Sequence, residues 1–536
     1  MAKAGIYPEM QEFATDDADH YKFQHPDTYP PEITWMMVAH SYRKSRLDDI
    51  GDGLGPIEHA TVFGLQGLLH IMHYKWKKYF FDLPEDVAIN EGIYEIIDST
   101  YQVTNPGFAK RFNYNRWREL HRYGKLPIKV MALPEGTQVP VAFDENSPFA
   151  EDVRIPMFTV ESTAPRFYWF PEFLETSIEG GIWQATTNAT IAGKIRATLQ
   201  HFAELTSNTP EKVFFQAGDF SARGMAGPEV AYRNSGAPHL LFFGVSSTVK
   251  TARYLRSYYN APRNVNTYGP STEHSVVCSW GRDEEVFLHE LLNHFYPDGN
   301  STHVSDSYDF WGLIENILPK FRDVIIKRDG RFSIRPDSGI SPLVILTGNP
   351  KAENPYERKG LIQCLWDLFG GTINSKGFKV LDIHIGATYG DAITPSMAFK
   401  ICKRLMEMGF DTTCVTLGVG SYTYQMNTRD TLGQAYKLIA MTRDGEFYEV
   451  FKDPKTDKAE GHNFKKSQRG KVAVIRDEDG EIKCVEGLTP KTIGRYESQN
   501  LLRTTYVEGY FEVLEDFTEM RKYAMQELDR VYGKAV

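Results

Sequence analysis

Between residues 212 and 421, short apolar runs stop repeatedly at clusters of ionisable or glycine residues, which restricts the chain to few architectures. KVFFQ precedes Asp219-Phe220-Ser221-Ala222-Arg223, HLLFF precedes Gly244-Val245-Ser246-Ser247, and THV precedes Ser305-Asp306-Ser307-Tyr308-Asp309. FSI then meets Arg335-Pro336-Asp337-Ser338-Gly339, LDIHIGA meets Tyr389-Gly390-Asp391, and TTCVTL meets Gly418-Val419-Gly420-Ser421. Such runs, bounded by turn residues and followed by helical stretches, predict buried strands of βα units. In a closed barrel of these units every strand C-terminus opens on one face, where substrate and catalytic groups gather. Arginines, aspartates and small residues at that face suit a phosphorylated substrate.

A chain of 536 residues exceeds one compact core. The pattern predicts an irregular α/β barrel over 181–435, with a second, sheet-rich α+β domain built from both chain ends, 1–180 and 436–536. HATVFGLQGLLHIMHYKWKKYFF has the apolar spacing of an amphipathic helix. LPIKVMALPEGTQVPVAF alternates around Pro134-Glu135-Gly136 as a hairpin would, and 141–156 carries surface-loop signals. VLDIHIGA predicts a strand, Thr394 an N-cap, Pro395 the first helical position and Gly409 the helix stop. Beyond 440, GEFYEVFKDP and KVAVIRDEDGEIKCVEG alternate, the latter about an Asp479-Gly480 hairpin, before a terminal helix in EGYFEVLEDFTEMRKYAMQEL.

The stops carry specific chemistry. Arg335 offers a planar fork to phosphate oxygens, and Asp337, across a rigid proline, accepts ribose hydroxyls; a structural ion pair is the competing reading. Asp306 and Asp309 suit Mg²⁺, directly or through water, but equally suit the N-cap of FWGLIENIL. His274, in Glu273-His274-Ser275, has the chemistry of an acid, base or phosphoryl acceptor, although a lone histidine is more often structural. Phe220 presents a face for a flat heteroaromatic ring and Arg223 a cation for phosphate, against the alternative of a core Phe beside a surface ion pair. Gly418-Val419-Gly420-Ser421 is a weak phosphate-loop signal.

Composition narrows the partners. A net charge of −10 argues against nucleic acid. Five scattered cysteines without metal-ligand spacing fit a reducing compartment. The acidic, polar N-terminus is no signal peptide, and no apolar stretch is long enough to span a membrane. These features predict a cytosolic protein with no membrane partner.

Ordered motifs then carry a resemblance over nearly the whole chain. They are Asp19-His20-Tyr21-Lys22 with Tyr29-Pro30-Pro31, Asp219-Phe220-x-x-Arg223-Gly224, Glu273-His274-Ser275 and Val304 to Asp309. Ile334 to Gly339, Asn374-Ser375-Lys376-Gly377-Phe378-Lys379, Gly390-Asp391, Thr428-Arg429-Asp430 and Phe451-Lys452-Asp453-Pro454 follow. The chain resembles the nicotinamide phosphoribosyltransferases. That resemblance implies a homodimer with shared active sites, transferring phosphoribose from 5-phosphoribosyl 1-pyrophosphate to nicotinamide with Mg²⁺. It implies that Phe220 and the partner subunit's Tyr21 sandwich the pyridine, and that Arg223, His274 and Arg335 face the diphosphate. Asp337, Gly390 and Asp391 would hold the ribose. Ser421 and Arg429 would meet the 5′-phosphate, with Lys437 and the partner's Arg43 nearby. His274 would be phosphorylated by ATP. The family often has Asp where this chain has Ser247, and glycine and serine where it has Ser421 and Tyr268. Nicotinate phosphoribosyltransferase and a non-catalytic nucleotide sensor are the competing readings.

Overall fold

The computed structural model describes residues 10–47, 55–142, 154–339, 341–452 and 467–533. The loop expected at 141–156 falls mostly outside them, as do Asp453 and Pro454 of the last motif.

The central sheet has six strands, all parallel, in the spatial order Val245–Ser246, Ala217–Asp219, Val415–Val419, Ile385–Tyr389, Phe332–Arg335 and Ser301–Val304. Its two edges are joined by one strap. Thr267 bridges in parallel to Val245 and Ser271 to Thr302. Thr267 N donates to Gly244 O (2.8 Å) and Thr302 N to Pro270 O (2.9 Å). Residues 267–272 thus close the sheet into an irregular α/β barrel, removing the unpaired edges that an open sheet would expose.

Four of the six expected strands differ from the apolar runs that suggested them; in LDIHIGA and TTCVTL the leading residues lie outside the sheet strands, which begin at Ile385 and Val415. KVFFQ falls mainly in a 3₁₀ turn, Pro210–Phe215, and the strand is the next three residues. HLLFF begins inside the helix Ala237–Leu240, where Pro238 suits the first turn, and the strand is Val245–Ser246. HLLFF is apolar because it faces the core, not because it is extended, whereas in KVFFQ Val213 is buried and Phe215 is half exposed. The 394–409 unit forms as the sequence predicts. Thr394 Oγ1 accepts from Met397 N (3.1 Å), Pro395–Glu407 is helical, and Gly409 has φ +78°.

A seven-stranded antiparallel sheet takes strands from both chain ends, in the order Glu446–Glu449, Ala435–Arg443, Ile33–Ser41, Pro156–Ser162, Ile128–Ala132, Arg503–Val507 and Tyr510–Phe511. The hairpin expected around Pro134-Glu135-Gly136 does not form. Gln138–Pro140 pairs instead with His59–Thr61. Buried Glu135 accepts from Gly64 N (2.6 Å) and Gln66 N (2.7 Å), which ties this turn to the start of the helix Leu65–Trp76. The Asp479-Gly480 hairpin does form, between Lys471–Arg476 and Ile482–Leu488, with Gly480 at φ +84°.

A helix of 32 residues, Glu175–Thr206, runs between the two cores, and every residue from 184 to 199 is buried. Its run of Ala, Thr and Gly lets strands and helices approach on all sides. The terminal helix Phe517–Tyr532, expected with the sheet-rich part, buries Phe517, Met520, Ala524 and Leu528 in the barrel core. Among the described residues no helix is long and apolar enough to cross a membrane.

Candidate active site

The C-terminal ends of the barrel strands surround a cleft of about 540 Å³, lined by Phe220, Arg223, Ser247, Tyr268, Glu273, His274, Arg335, Asp337 and Gly390 among others. Phe220 and Arg223 follow the 217–219 strand and Ser247 the 245–246 strand. Arg335 ends the 332–335 strand, and Gly390 follows 385–389. Tyr268, Ser271 and Thr272 come from the closing strap, and His274 and Ser275 open the helix His274–Ser279 that follows it.

Phe220 lies across a floor of glycine. A Cβ built on Gly418 would sit 2.2 Å from Phe220 Cδ2, one on Gly218 3.1 Å from Cε1, and one on Gly390 3.3 Å from Cδ2. Three strands therefore present bare backbone to one side of the ring, leaving the other side half-buried in the cleft. Tyr268 meets it edge-on, with centroids 6.5 Å apart and planes at 74°. This arrangement suits stacking of a flat ring.

Below this floor, fully buried Asp219 organises two strand ends. Its Oδ1 accepts from Ser221 N (3.1 Å), Ser221 Oγ (2.6 Å) and Ser235 Oγ (3.0 Å), and its Oδ2 from Ser246 Oγ (2.8 Å) and Thr248 Oγ1 (2.9 Å). Five donors satisfy a carboxylate that would otherwise be costly to bury. Ser247 donates through both N (2.9 Å) and Oγ (3.0 Å) to the Asp219 carbonyl. Sequence reasoning placed Asp219 in a motif without giving it this role; the Ser246-Ser247-Thr248 run was the available signal.

Arg335 spans strap and sheet. Its Nη1 donates to Ser271 Oγ (2.9 Å) and its Nη2 to Thr272 O (3.0 Å), while its Nε is buried without a partner. His274 Nδ1 lies 3.0 Å from Ser307 Oγ, and its Nε2 3.6 Å from Asp306 Oδ1, with the imidazole 44% exposed. Asp306 Oδ2 accepts from Asp337 N (2.8 Å) and Ser338 Oγ (2.5 Å), and its Oδ1 is buried without a hydrogen bond. Asp309 instead caps the next helix, accepting from Gly312 N (2.9 Å). Asp309 therefore takes the capping role, whereas Asp306 caps no helix here and is tied to the 337–338 turn. Burial, then Asp309 and Asp306, raises the Glu284 carboxyl to about 7.

Exposed Asp391 adjoins Gly390. Burial first, then Asp391, Asp306 and Asp337, pushes the Tyr389 hydroxyl up, so these three carboxylates share one neighbourhood. Ser421 packs against Gly224, beside Arg223. The remaining expected residues are not in this lining. Tyr21, Arg43, Arg429 and Lys437 gather around Glu175 and Glu179, outside the cleft of their own chain. Lys437 Nζ is 3.0 Å from Glu175 Oε1, and Arg429 Nη1 is 4.0 Å from Glu179 Oε2. Burial, and then Arg429, lowers the affinity of the Arg43 guanidinium for its proton. Burial raises Glu179 to about 7 against the pull of Arg429, Lys437 and Arg43. Tyr21 is 47% exposed, its hydroxyl donating to Asp19 Oδ2 (3.2 Å). Arg429 and Lys437 are thus held by Glu179 and Glu175 in their own chain.

Residues 215–509 match the model of the Nicotinate phosphoribosyltransferase (NAPRTase) family. The chain belongs to that family. It is 32% identical over 520 residues to the nicotinamide phosphoribosyltransferase of Acinetobacter baylyi, covering 95% of this chain and 97% of the relative. It is 30% identical over 471 residues to that of Xanthomonas campestris pv. campestris, covering 86% and 87%. Two solved structures share the fold. They are nicotinate-nucleotide pyrophosphorylase from Pyrococcus furiosus (TM-score 0.54, 13% identity, 99% of each chain) and human nicotinic acid phosphoribosyltransferase (TM-score 0.52, 15% identity, 96% of this chain and 93% of that one).

Proposed function

We propose that this chain is a nicotinamide phosphoribosyltransferase of NAD salvage, moving phosphoribose from 5-phosphoribosyl 1-pyrophosphate to the ring nitrogen of nicotinamide and releasing pyrophosphate. One observation carries the reading: the Phe220 ring laid on bare backbone shares a cleft with Arg223, His274 and Arg335. A pyridine stacked on Phe220 meets the sugar carbon held over Asp337 and Gly390. Charge on the departing diphosphate is met by the arginines, so positioning and electrostatics replace a protein nucleophile.

Mg²⁺ fits the donors in part. Asp306 has a buried oxygen without a hydrogen bond, whereas the Asp309 carboxylate is engaged as a cap. Asp306, with Asp337 lining the cleft, would hold the ion, which neutralises pyrophosphate charge when bound. Exposed His274 supports the ATP-coupled step, in which the imidazole accepts a phosphoryl group and ADP leaves. Tyr21, Arg43, Arg429 and Lys437, gathered outside their own cleft, support a homodimer in which each subunit brings this group to its partner's site.

Ser247 favours the amide substrate. Its hydroxyl proton is committed to the Asp219 carbonyl, leaving lone pairs toward the cleft. Such a group accepts from an amide NH₂ and offers nothing to a carboxylate. The nicotinate alternative rests on the absence of a negative charge at this position. Purified protein given both pyridines with 5-phosphoribosyl 1-pyrophosphate and Mg²⁺ should form mainly nicotinamide mononucleotide. Mainly acid product would reverse the substrate assignment, and no pyrophosphate release with either pyridine would leave a nucleotide sensor.

A further inference from the structure

On the barrel's outer wall, away from the cleft lining, two imidazoles and a carboxylate converge. His289, Glu290 and His294 have ligand atoms all within 4.8 Å of one another, the one such grouping of three among the described residues. We propose that they form a surface site for a borderline divalent metal of the Zn²⁺, Co²⁺ or Ni²⁺ kind.

The backbone explains the convergence. On a regular α-helix, residues five apart point about 140° from each other. Here the helix Glu284–Glu290 passes into a π-turn, Leu291–Phe295, closed by Tyr296 N donating to Leu291 O (2.8 Å). The wider turn brings positions 289 and 294 onto one face, and such bulges often mark functional sites. The imidazole centroids lie 6.0 Å apart. Glu290 sits between them, with Oε1 3.3 Å from His289 Nδ1 and Oε2 4.0 Å from His294 Nε2.

The opposite face is fixed. Phe287, Leu288, Leu291 and Leu292 are buried, and Asn293 Nδ2 donates to His289 O (2.8 Å). Binding therefore needs only side-chain rotation. Tetrahedral coordination at zinc–ligand lengths sets donors about 3.3 Å apart. The histidines, 59% and 61% exposed, have the freedom to close that gap. Two nitrogens and one oxygen suit borderline metals and leave a position open for water, whereas Mg²⁺ prefers all-oxygen shells. The site is thus chemically orthogonal to the Mg²⁺ that the transfer reaction would use. It is also tied to the catalytic side of the barrel. Phe295 packs on Trp280 (5.9 Å), the residue that ends the helix His274–Ser279.

Visible absorption during a Co²⁺ titration of the full-length protein, in excess Mg²⁺, tests this. Wild type and His274→Ala should each take up one equivalent with tetrahedral-type bands. The double variant His289→Ala/His294→Ala, which loses only exposed side chains, should bind more weakly by at least the ~10²-fold upper end seen for outer-shell losses. Glu290→Gln should weaken binding about tenfold. No uptake by wild type, uptake retained in the double variant, unchanged affinity in Glu290→Gln, or loss in His274→Ala would each overturn the proposal. These readouts do not depend on turnover, so they stand apart from the assignment of the cleft.

Discussion

Replacing Gly418 by alanine adds one methyl group where the Phe220 ring meets the sheet. The position does not need glycine's backbone freedom, since its φ is not among the positive ones, so the effect is steric alone. The new Cβ would lie 2.2 Å from Phe220 Cδ2 and 2.8 Å from Gly390 Cα, a backbone atom of the neighbouring strand end. Carbon atoms rest about 3.5 Å apart or more, so the ring must lift by roughly 1.3 Å. Displacement of about 1 Å in a positioning group costs about 10²-fold in rate, and overpacking costs about 1–3 kcal/mol of stability. We expect Gly418→Ala to lose about two orders of magnitude in kcat/KM for nicotinamide and to melt at a lower temperature. Gly494→Ala, where an added Cβ meets nothing within 4 Å, serves as the matched control. Steady-state kinetics and a thermal melt on both variants decide the matter. Wild-type kcat/KM and melting in Gly418→Ala would refute the glycine floor as the base of the ring site.

Burial raises Glu135 to about 7 and burial plus Glu135 raises Glu515 to about 8, so the folded state holds protons that the unfolded chain releases near the ordinary carboxyl value. The stability this adds is complete below that ordinary value and is lost as pH rises through 7 and 8. Glu515→Gln should therefore flatten the fall in melting temperature between pH 6 and 9, and an unchanged slope would count against it. Asp219→Asn leaves hydroxyl and amide donors facing an NH₂ group; chemical denaturation should report a loss of about 3 kcal/mol or more. Ser247→Ala should narrow the preference for nicotinamide over nicotinate in a competition assay, whereas a preference left intact would remove Ser247 from discrimination. Mixing inactive His274→Ala/Arg335→Ala chains with inactive Arg429→Ala/Lys437→Ala chains should restore part of the activity, because one mixed site is whole; no recovery in proven mixed dimers would argue for sites within one chain.

Residues after strands were legible because turn chemistry and charge mark them locally. Thus Arg223, Ser247, His274, Arg335, Asp337 and Gly390 all reach the cleft. What depends on distant segments meeting was not legible. Gly418 reads only as a weak phosphate-loop glycine and Gly390 as a ribose contact, and neither shows its place beside Gly218 until three strands bring all of them under one ring. The helix Glu175–Thr206 lacks a one-sided apolar period because it is covered all round. The run HLLFF looks like a strand, since a buried helix end and a buried strand carry the same residues. The Glu135 turn reverses nothing because Gly64 and Gln66, some seventy residues earlier, claim its carboxylate.

The strap at 267–272 closes the barrel, carries Tyr268 to the edge of the Phe220 ring, and leads directly into His274. Pocket shape and reaction chemistry therefore hang on the same few peptide units. A one-residue insertion there would shift both at once, so the wall of the ring pocket and the position of His274 cannot be retuned separately.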